Sequence, residues 1–355
     1  MISVNKVKRF ERFGRGNMQI TEITYEKVQK LKQNVKPNVI HNRFDILFCS
    51  TLNNQDRGGA TPDFELFKLE FENGEFYIPV HIDGDKGRVG MYLRRLEKKY
   101  WQEFVSFLFK RYPKLEDIWV LHTYTELSGV EAKPHWHIDL PDSIEEFDAA
   151  LHTKTRYNTK WYPKKIRENI GEYEIVKLPA AEIKEEIVNQ YLNWKYISHG
   201  YVWGKAPLEY LSSAGITEGY LMKCQDLVLA IGFICTTEDN VFFENFSYNP
   251  QYEKYSLGNV LLHYIISDLI LQRKKKFYLL GGNLEYKRRY NGIRTETYTG
   301  HIYRHPFFAS VVEKISQAIN KMPFSYRIRK RCAKFAGLFL FNRYYARQLK
   351  GEILK

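Results

Sequence analysis

Residues 241–294, VFFENFSYNPQYEKYSLGNVLLHYIISDLILQRKKKFYLLGGNLEYKRRYNGIR, constrain this chain more than any other segment. An aromatic, strand-like run leads to a turn containing Gly258. An apolar helical pattern follows over 257–273, and after a basic tip comes the strand-like KFYLLGG. Strand, crossover helix and strand in that order make a mixed α/β sheet. No G-x-G-x-x-G occurs, which separates the pattern from a dinucleotide-binding fold.

The rest of the chain extends that reading. Helical spacing over 20–35 precedes Lys36-Pro37. FELFKLEFENG and EFYIPVHIDGDKG read as a hairpin around Asn73-Gly74, and a helix over about 94–111 ends before Pro113. Strands follow at IWVLHTYTE and HWHIDL, and a helix over about 143–153 carries Ser143 with Glu145 and Glu146 at its start. TKTRYNTKWYPKKIREN then holds six basic residues. Beyond it lie the strand YEIVKL, a helix near 180–198, a short helix at PLEYLSSAG, and strands at GYLMKC, LVLAIGFICT, VFFENFSY and 295–304. The expected domains are 1–150 and 151–305, each α/β, followed by a basic helical arm over 306–355.

Charge is unevenly placed. The chain carries +13, and from His305 onward eleven Lys or Arg against Glu313 and Glu352 contribute +9. That excess calls for an anionic partner, and without zinc-finger or RNA-binding signatures a phospholipid surface is favoured over nucleic acid. The arm FSYRIRKRCAKFAGLFLFNRYYARQLK has the composition of a helix lying on an anionic bilayer, and equally of a helix docked on its own protein. The four cysteines, Cys49, Cys224, Cys235 and Cys332, form no C-x-x-C, as expected of buried thiols in a reduced cytoplasm. No run approaches the roughly 18 apolar residues of a membrane span.

Two places concentrate chemistry. At Tyr255-Ser256-Leu257-Gly258-Asn259 the free amides and dipole of a helix start favour a pyrophosphate, whereas the plainer reading is a cap made by Ser256. At the end of KFYLLGG, Lys287, Arg288 and Arg289 are placed to hold phosphate or carboxylate, and Tyr286 or Tyr290 to protonate a leaving thiolate. Strand alternation puts Glu244, Phe246 and Tyr248 on one face. Glu244 is thereby the foremost candidate base, ahead of Glu285, with a structural carboxylate as the other reading. His135, His137 and Asp139 alternate on one strand face and are read as structural or substrate-contacting residues, with no metal assigned. Trp194, Tyr196, His199, Tyr201 and Trp203 suit either stacking on sugar rings or core packing.

Three segments carry a resemblance. IDLPDSIEEFDAALHTKTRYNTKWYPKKIRE, FSYNPQYEKYSLGNVLLHYII and FYLLGGNLEYKRRYNG resemble, in order and spacing over about 135–300, the motif blocks of the CelD-type acetyltransferases of cellulose and exopolysaccharide synthesis. Leu257 stands where that family has Pro, Tyr290-Asn291-Gly292 replaces Phe-Gly, and Tyr278 replaces an Asp. The family is GNAT-like and related to the Fem peptidyltransferases, so the resemblance implies a tandem GNAT-like fold. It also implies direct acyl transfer from a thioester, with acetyl-CoA as the expected donor, to an amine or hydroxyl of a glycan, sugar-nucleotide or lipid-linked acceptor. Gly258 and its neighbours Phe246, Tyr255, Ser256 and Asn259, with Arg289, would hold the donor. Tyr286 and Lys287 would line the reacting end with Glu244, and Arg156, Lys160, Trp194, His199 and Trp203 would face the acceptor. The expected setting is the cytoplasm, with peripheral contact at the inner membrane face. A Fem-type aminoacyl-tRNA transferase and a non-catalytic GNAT-like scaffold remain open beside this reading.

Overall fold

The computed structural model describes residues 11–12, 18–23, 65–72, 74–91, 93–128, 130–200, 207–213, 216–237, 240–320, 332 and 344. They fall into two compact units. The first runs to Glu131 and resumes at Tyr298, and the second spans Ala132–Thr297. These limits lie earlier than the sequence boundaries at 150 and 305, because a strand that reads as the end of the first domain pairs inside the second unit.

The first unit opens with β1 (Glu11–Arg12) and β2 (Gln19–Ile23), followed by β3 (Glu65–Phe71), β4 (Gly74–Asp83) and β5 (Lys86–Val89), all antiparallel. Residues 19–23 are thus a strand and not the start of the expected helix. Ile20 pairs with Leu69 and enters the core, so tertiary pairing overrides helical spacing. The remainder of that expected helix lies outside the described residues. Helix α1 (Lys98–Arg111) crosses over to β6 (Asp117–Thr123), which lies parallel to β5. Helix α1 starts later than its apolar spacing suggests because Arg94 and Leu96 are tied to the chain after β6. The Leu96 amide donates to Thr125 Oγ1 at 2.8 Å, and Thr123 Oγ1 donates to the Arg94 carbonyl at 2.8 Å. Its buried face of Trp101, Phe104, Val105, Phe107 and Leu108 closes the core, with Phe67 edge-on to Phe104 and Phe107 at 5.8 and 5.6 Å.

The second unit repeats the pattern. Strands β8 (Glu174–Pro179), β9 (Glu218–Cys224), β10 (Leu227–Thr237) and β11 (Asn240–Tyr248) form an antiparallel meander. A 3-10 turn at Pro250–Tyr255 and helix α6 (Leu257–Leu271) cross over to β12 (Lys276–Gly281), parallel to β11. Antiparallel to β12 lies β7 (Ala132–Asp139). Helices α2 (Ile144–Ala150) and α3 (Thr153–Asn169) cover α6, and Ser143 Oγ accepts the Glu146 amide at 3.1 Å, the cap its sequence suggests. On the opposite sheet face, α4 (Glu185–His199) and α5 (Pro207–Ser213) pack against Ile231 and Phe233. Short α7 (Glu285–Arg289) follows β12.

After β6 the chain goes to β7, which pairs in the second unit. After α7 it goes to β13 (Ile293–Tyr303), which pairs antiparallel with β6 from Tyr298 onward. Helix α8 (Pro306–Asn320) continues in the first unit. Of the expected basic arm beyond it only Cys332 and Tyr344 are described. Tyr344 is docked, buried beside Val312 and Ile319 with its hydroxyl donating to Asp117 Oδ2 at 2.8 Å. Among the described residues no helix is long and apolar enough to cross a membrane.

Arg304, one residue beyond β13, closes the C-terminal end of α1. Its guanidinium donates to the carbonyls of Leu115, Phe109 and Tyr112 at 2.7, 2.6 and 2.7 Å, meeting acceptors that a helix end leaves unpaired. Arg304→Met is expected to destabilise the first unit by about 3 kcal/mol, since buried carbonyls lose a charged donor. Arg304→Lys should restore little of that, because an ammonium lacks the planar fork. Denaturant unfolding of the three proteins checks both.

Candidate functional site

Strands β11 and β12 stay paired for only three residues, Asn240 with Lys276, Val241 with Phe277 and Phe242 with Tyr278. Beyond that point β12 continues with β7 through an irregularity between Tyr278 and Leu280, while β11 continues with β10. The parallel pair therefore parts. On β11 the register jumps there: Ile234 faces Phe243 and Phe233 faces Asn245, leaving Glu244 as the extra residue of a β-bulge. The bulge overturns the expected alternation. Phe246 and Tyr248 pack with Phe243 on the core beneath α6, Phe243 and Phe246 stacking at 5.5 Å, so they do not share a strand face with Glu244 by simple alternation. Burial pushes the Glu244 carboxyl up to about 7. Its charge reaches Tyr191 on α4, where burial first and then the neighbouring Tyr210 and Glu244 push the hydroxyl up.

Helix α6 begins after Ser256, whose left-handed backbone (φ 49°) turns the chain and whose side chain makes no cap bond, so the plain capping reading does not hold. Gly258 is required by a ring. A Cβ there would lie 3.0 Å from Phe246 Cδ2 and closer still to Cε2, so the side a Cβ would take is filled by that ring. Tyr255 packs against the same core under the Lys254 ammonium, 5.1 Å from its ring centre. Beside the helix start lies an open cleft lined by Thr155, Asn158, Thr159 and Tyr162 of α3, Asn259 and Val260 of α6, and Arg289 and Tyr290. Tyr290 donates to the Asn259 carbonyl at 2.9 Å, and Arg289 pairs with Glu285 at 2.7 Å. Of the residues expected to hold the donor, Asn259 and Arg289 line this cleft, while Phe246 and Gly258 pack against each other.

At the end of β12, Lys287 is buried, and its ammonium donates to the carbonyls of Leu280 (3.1 Å), Gly281 and Gly282 (3.4 Å). Leu280 and Gly282 have φ of 62° and 88°, so the amine ties down a strained strand end. Burial lowers it to about 8. Its partners are the backbone carbonyls of the strand end that precedes it. Tyr286, half-buried and pushed up to about 12 by burial, stands edge-on to Phe246 at 6.1 Å, linking α7 to β11 where the strands have parted.

The remaining expected residues scatter. Arg156 donates to the Ala149 carbonyl at 3.5 Å, Lys160 is exposed, and neither lines the cleft. Trp194 is core, packed with Val188 and Tyr191, so the packing reading holds for it. The His199 side chain, Tyr201 and Trp203 lie outside the described residues. His135 and His137 stand 6.1 and 5.8 Å from the Tyr278 ring, and burial followed by the Lys276 charge lowers His137. Tyr278, where the resembled family has Asp, stacks on Phe242 at 4.8 Å. One residue went unnoticed in the sequence. Lys195 of α4 donates to Asn245 Oδ1 at 2.6 Å, beside the bulge, and burial brings it down to about 8. Nothing but its turn of helix could have marked it.

Residues 208–288 match the acetyltransferase (GNAT) domain, and no curated protein matches the chain. The fold is that of FemX, with a TM-score of 0.57 at 6% identity over 82% of this chain and 99% of that one. A tandem GNAT protein from the clavulanic acid biosynthesis pathway aligns with a TM-score of 0.43 at 8% identity, over 81% and 98% of the two chains. L-PGS from Bacillus licheniformis aligns at 0.44 with 12% identity, over 64% and 80%. The mixed α/β, tandem GNAT-like architecture expected from the sequence is therefore the one observed.

Gly258→Ala is expected to cost about 1–3 kcal/mol by overpacking against Phe246. The loss should shrink when Phe246→Leu is combined with it, which a double-mutant cycle in urea measures. Lys287→Met is expected to cost about 3 kcal/mol by orphaning carbonyls at the end of β12, read as a lower denaturation midpoint.

Proposed function

We propose that the second unit transfers an acyl group from a thioester, acetyl-CoA in the simplest case, to an amine or hydroxyl of a sugar. The CelD-type resemblance makes the acceptor a glycan precursor of cell-surface polysaccharide synthesis, sugar-nucleotide or lipid-linked, met at the cytoplasmic face of the membrane. The observation that carries the reading is the position of Glu244. It is the bulge residue where β11 leaves β12, and its carboxyl titrates near neutrality.

In this reading the donor's phosphate end lies at the start of α6 in the cleft lined by Asn259 and Arg289, and the thioester points into the parting of the strands. Ionised Glu244 removes a proton from the acceptor amine or hydroxyl as its nitrogen or oxygen attacks the thioester carbon. The carbon–sulfur bond breaks as the new amide or ester forms. Tyr286, held protonated by its raised pKa, supplies the proton that the leaving thiolate takes. Positioning carries the remaining rate enhancement.

Because the base must be ionised, the rate is expected to rise through about pH 7 and to be lost as the pH falls below it. Glu244→Gln should lower kcat by roughly 10²–10⁴ and leave acetyl-CoA affinity unchanged, the span expected of a lost general base. Thiol release with aminosugar acceptors between pH 5.5 and pH 8.5, beside calorimetric titration with acetyl-CoA, tests both. Full activity in Glu244→Gln sinks the assignment. Absence of acyl-CoA binding would move the reading to an aminoacyl donor or a scaffold.

A further inference from the structure

Helix α3 has two working faces. Its inner face, with Thr155, Asn158, Thr159 and Tyr162, forms one wall of the cleft at the start of α6. Its outer face carries Lys154, Tyr157, Lys160, Trp161, Lys164 and Lys165. Tyr157 and Trp161, one helical turn apart, are 61% and 37% exposed, and the Lys164 side chain is 73% exposed. The helix holds six basic residues against one acid, Glu168, which Lys165 and Lys164 approach at 2.7 and 3.7 Å. No aliphatic side chain shares this outer face, so it lacks the apolar stripe with which a helix lies in a bilayer.

The cleft itself is poor in cations. Among the described residues lining it Arg289 is the single charged one, and Glu285 already pairs with it at 2.7 Å. Coenzyme A brings a diphosphate and a further 3′-phosphate. A phosphopantetheine arm on a carrier protein brings one phosphodiester, which one helix start and one partly engaged arginine suit. The positive charge that the cleft lacks stands outside it, on the other face of the same helix, where the surface of a carrier would lie. Resting on the acyl-transfer reading above, we infer that the physiological donor is an acyl thioester carried on the phosphopantetheine arm of an acidic carrier protein that docks on the outer face of α3. Tyr157 and Trp161 form the packed centre of that contact and the lysines its charged rim. The acyl carbon passes to the acceptor, and the carrier leaves with a free thiol that takes up the proton.

The test uses the full chain and acetyl-loaded acyl carrier protein, with acetyl-CoA in parallel, measuring binding by calorimetry and transfer by thiol release. Two surface variants are compared, Lys154→Glu with Lys164→Glu, and Tyr157→Ala with Trp161→Ala. Circular dichroism and unfolding midpoints show that they remain folded. The expected result is micromolar carrier binding that weakens at least tenfold in both variants and at higher salt, with acetyl-CoA binding unchanged. Transfer from acetyl-CoA alone, or carrier binding indifferent to both variants, overturns the inference and leaves the acyl-transfer reading standing. Transfer from neither thioester removes both together. Binding of polyuridylate or phosphatidylglycerol vesicles that the same substitutions abolish, without carrier binding, assigns the face to another partner and also overturns it.

Discussion

Helix α6 has almost no side that water could wet, and the second unit is arranged around that fact. Leu257, Val260, Leu261, Leu262, Ile265, Ile266, Leu269 and Ile270 are buried, which takes in nearly its whole circumference. The sheet covers one side and α2 with α3 cover the other. Gly232 lets the helix settle onto β10, since a Cβ there would press on Ile265 and Leu261 at 3.2 Å. The polar residues of α6 are satisfied locally: His263 meets Asp148 at 2.8 Å, and Asp268 accepts the Tyr220 hydroxyl at 2.6 Å. A helix held this firmly fixes where its amides point, and it fixes the spacing between the two strands it joins.

Rigidity there allows irregularity beside it. The bulge at Glu244, the left-handed backbone of Ser256 and Leu280, and the lysine buried among carbonyls all cluster around the place where β11 and β12 diverge. Each is costly alone, and each is over-determined by the packing nearby. Phe246 illustrates the coupling. Its ring touches the glycine of α6, stacks on Phe243 and meets Tyr286 edge-on, so one side chain joins β11 to both helices of the site. Titration follows the same logic, because burial raises Glu244 and lowers Lys195 and Lys287 toward the same neutral range.

Much of this architecture was legible in the amino-acid order because local signals agreed with the fold. The hairpin of β3 and β4, the Ser143 cap, helix α6 and the strands around it all carry their own periodicity or turn chemistry. What escaped depends on partners distant in sequence. Two-residue alternation cannot register a bulge, so Glu244 was found but its neighbours were given the wrong face. Lys287 sits in a run of three basic residues, and nothing in that run says that one of them is buried while Arg288 and Arg289 are exposed. Lys195 becomes notable only through Asn245, fifty residues later. Gly258 stands out in the sequence as a helix-start glycine, but the ring that packs on it comes from β11 and leaves no local signal.

The return of β13 to β6 makes the first unit discontinuous in sequence, with the whole of Ala132–Thr297 lying between its parts. A cut between residues 140 and 275 leaves both products incomplete, one without β13 beside β6, the other without β7 beside β12. During synthesis the first unit has to wait for the ribosome to pass Tyr303 before its sheet is whole, by which time nearly all of the second unit has emerged. The first unit's sheet is therefore the last to be completed, and until β13 arrives β6 presents an unpaired edge.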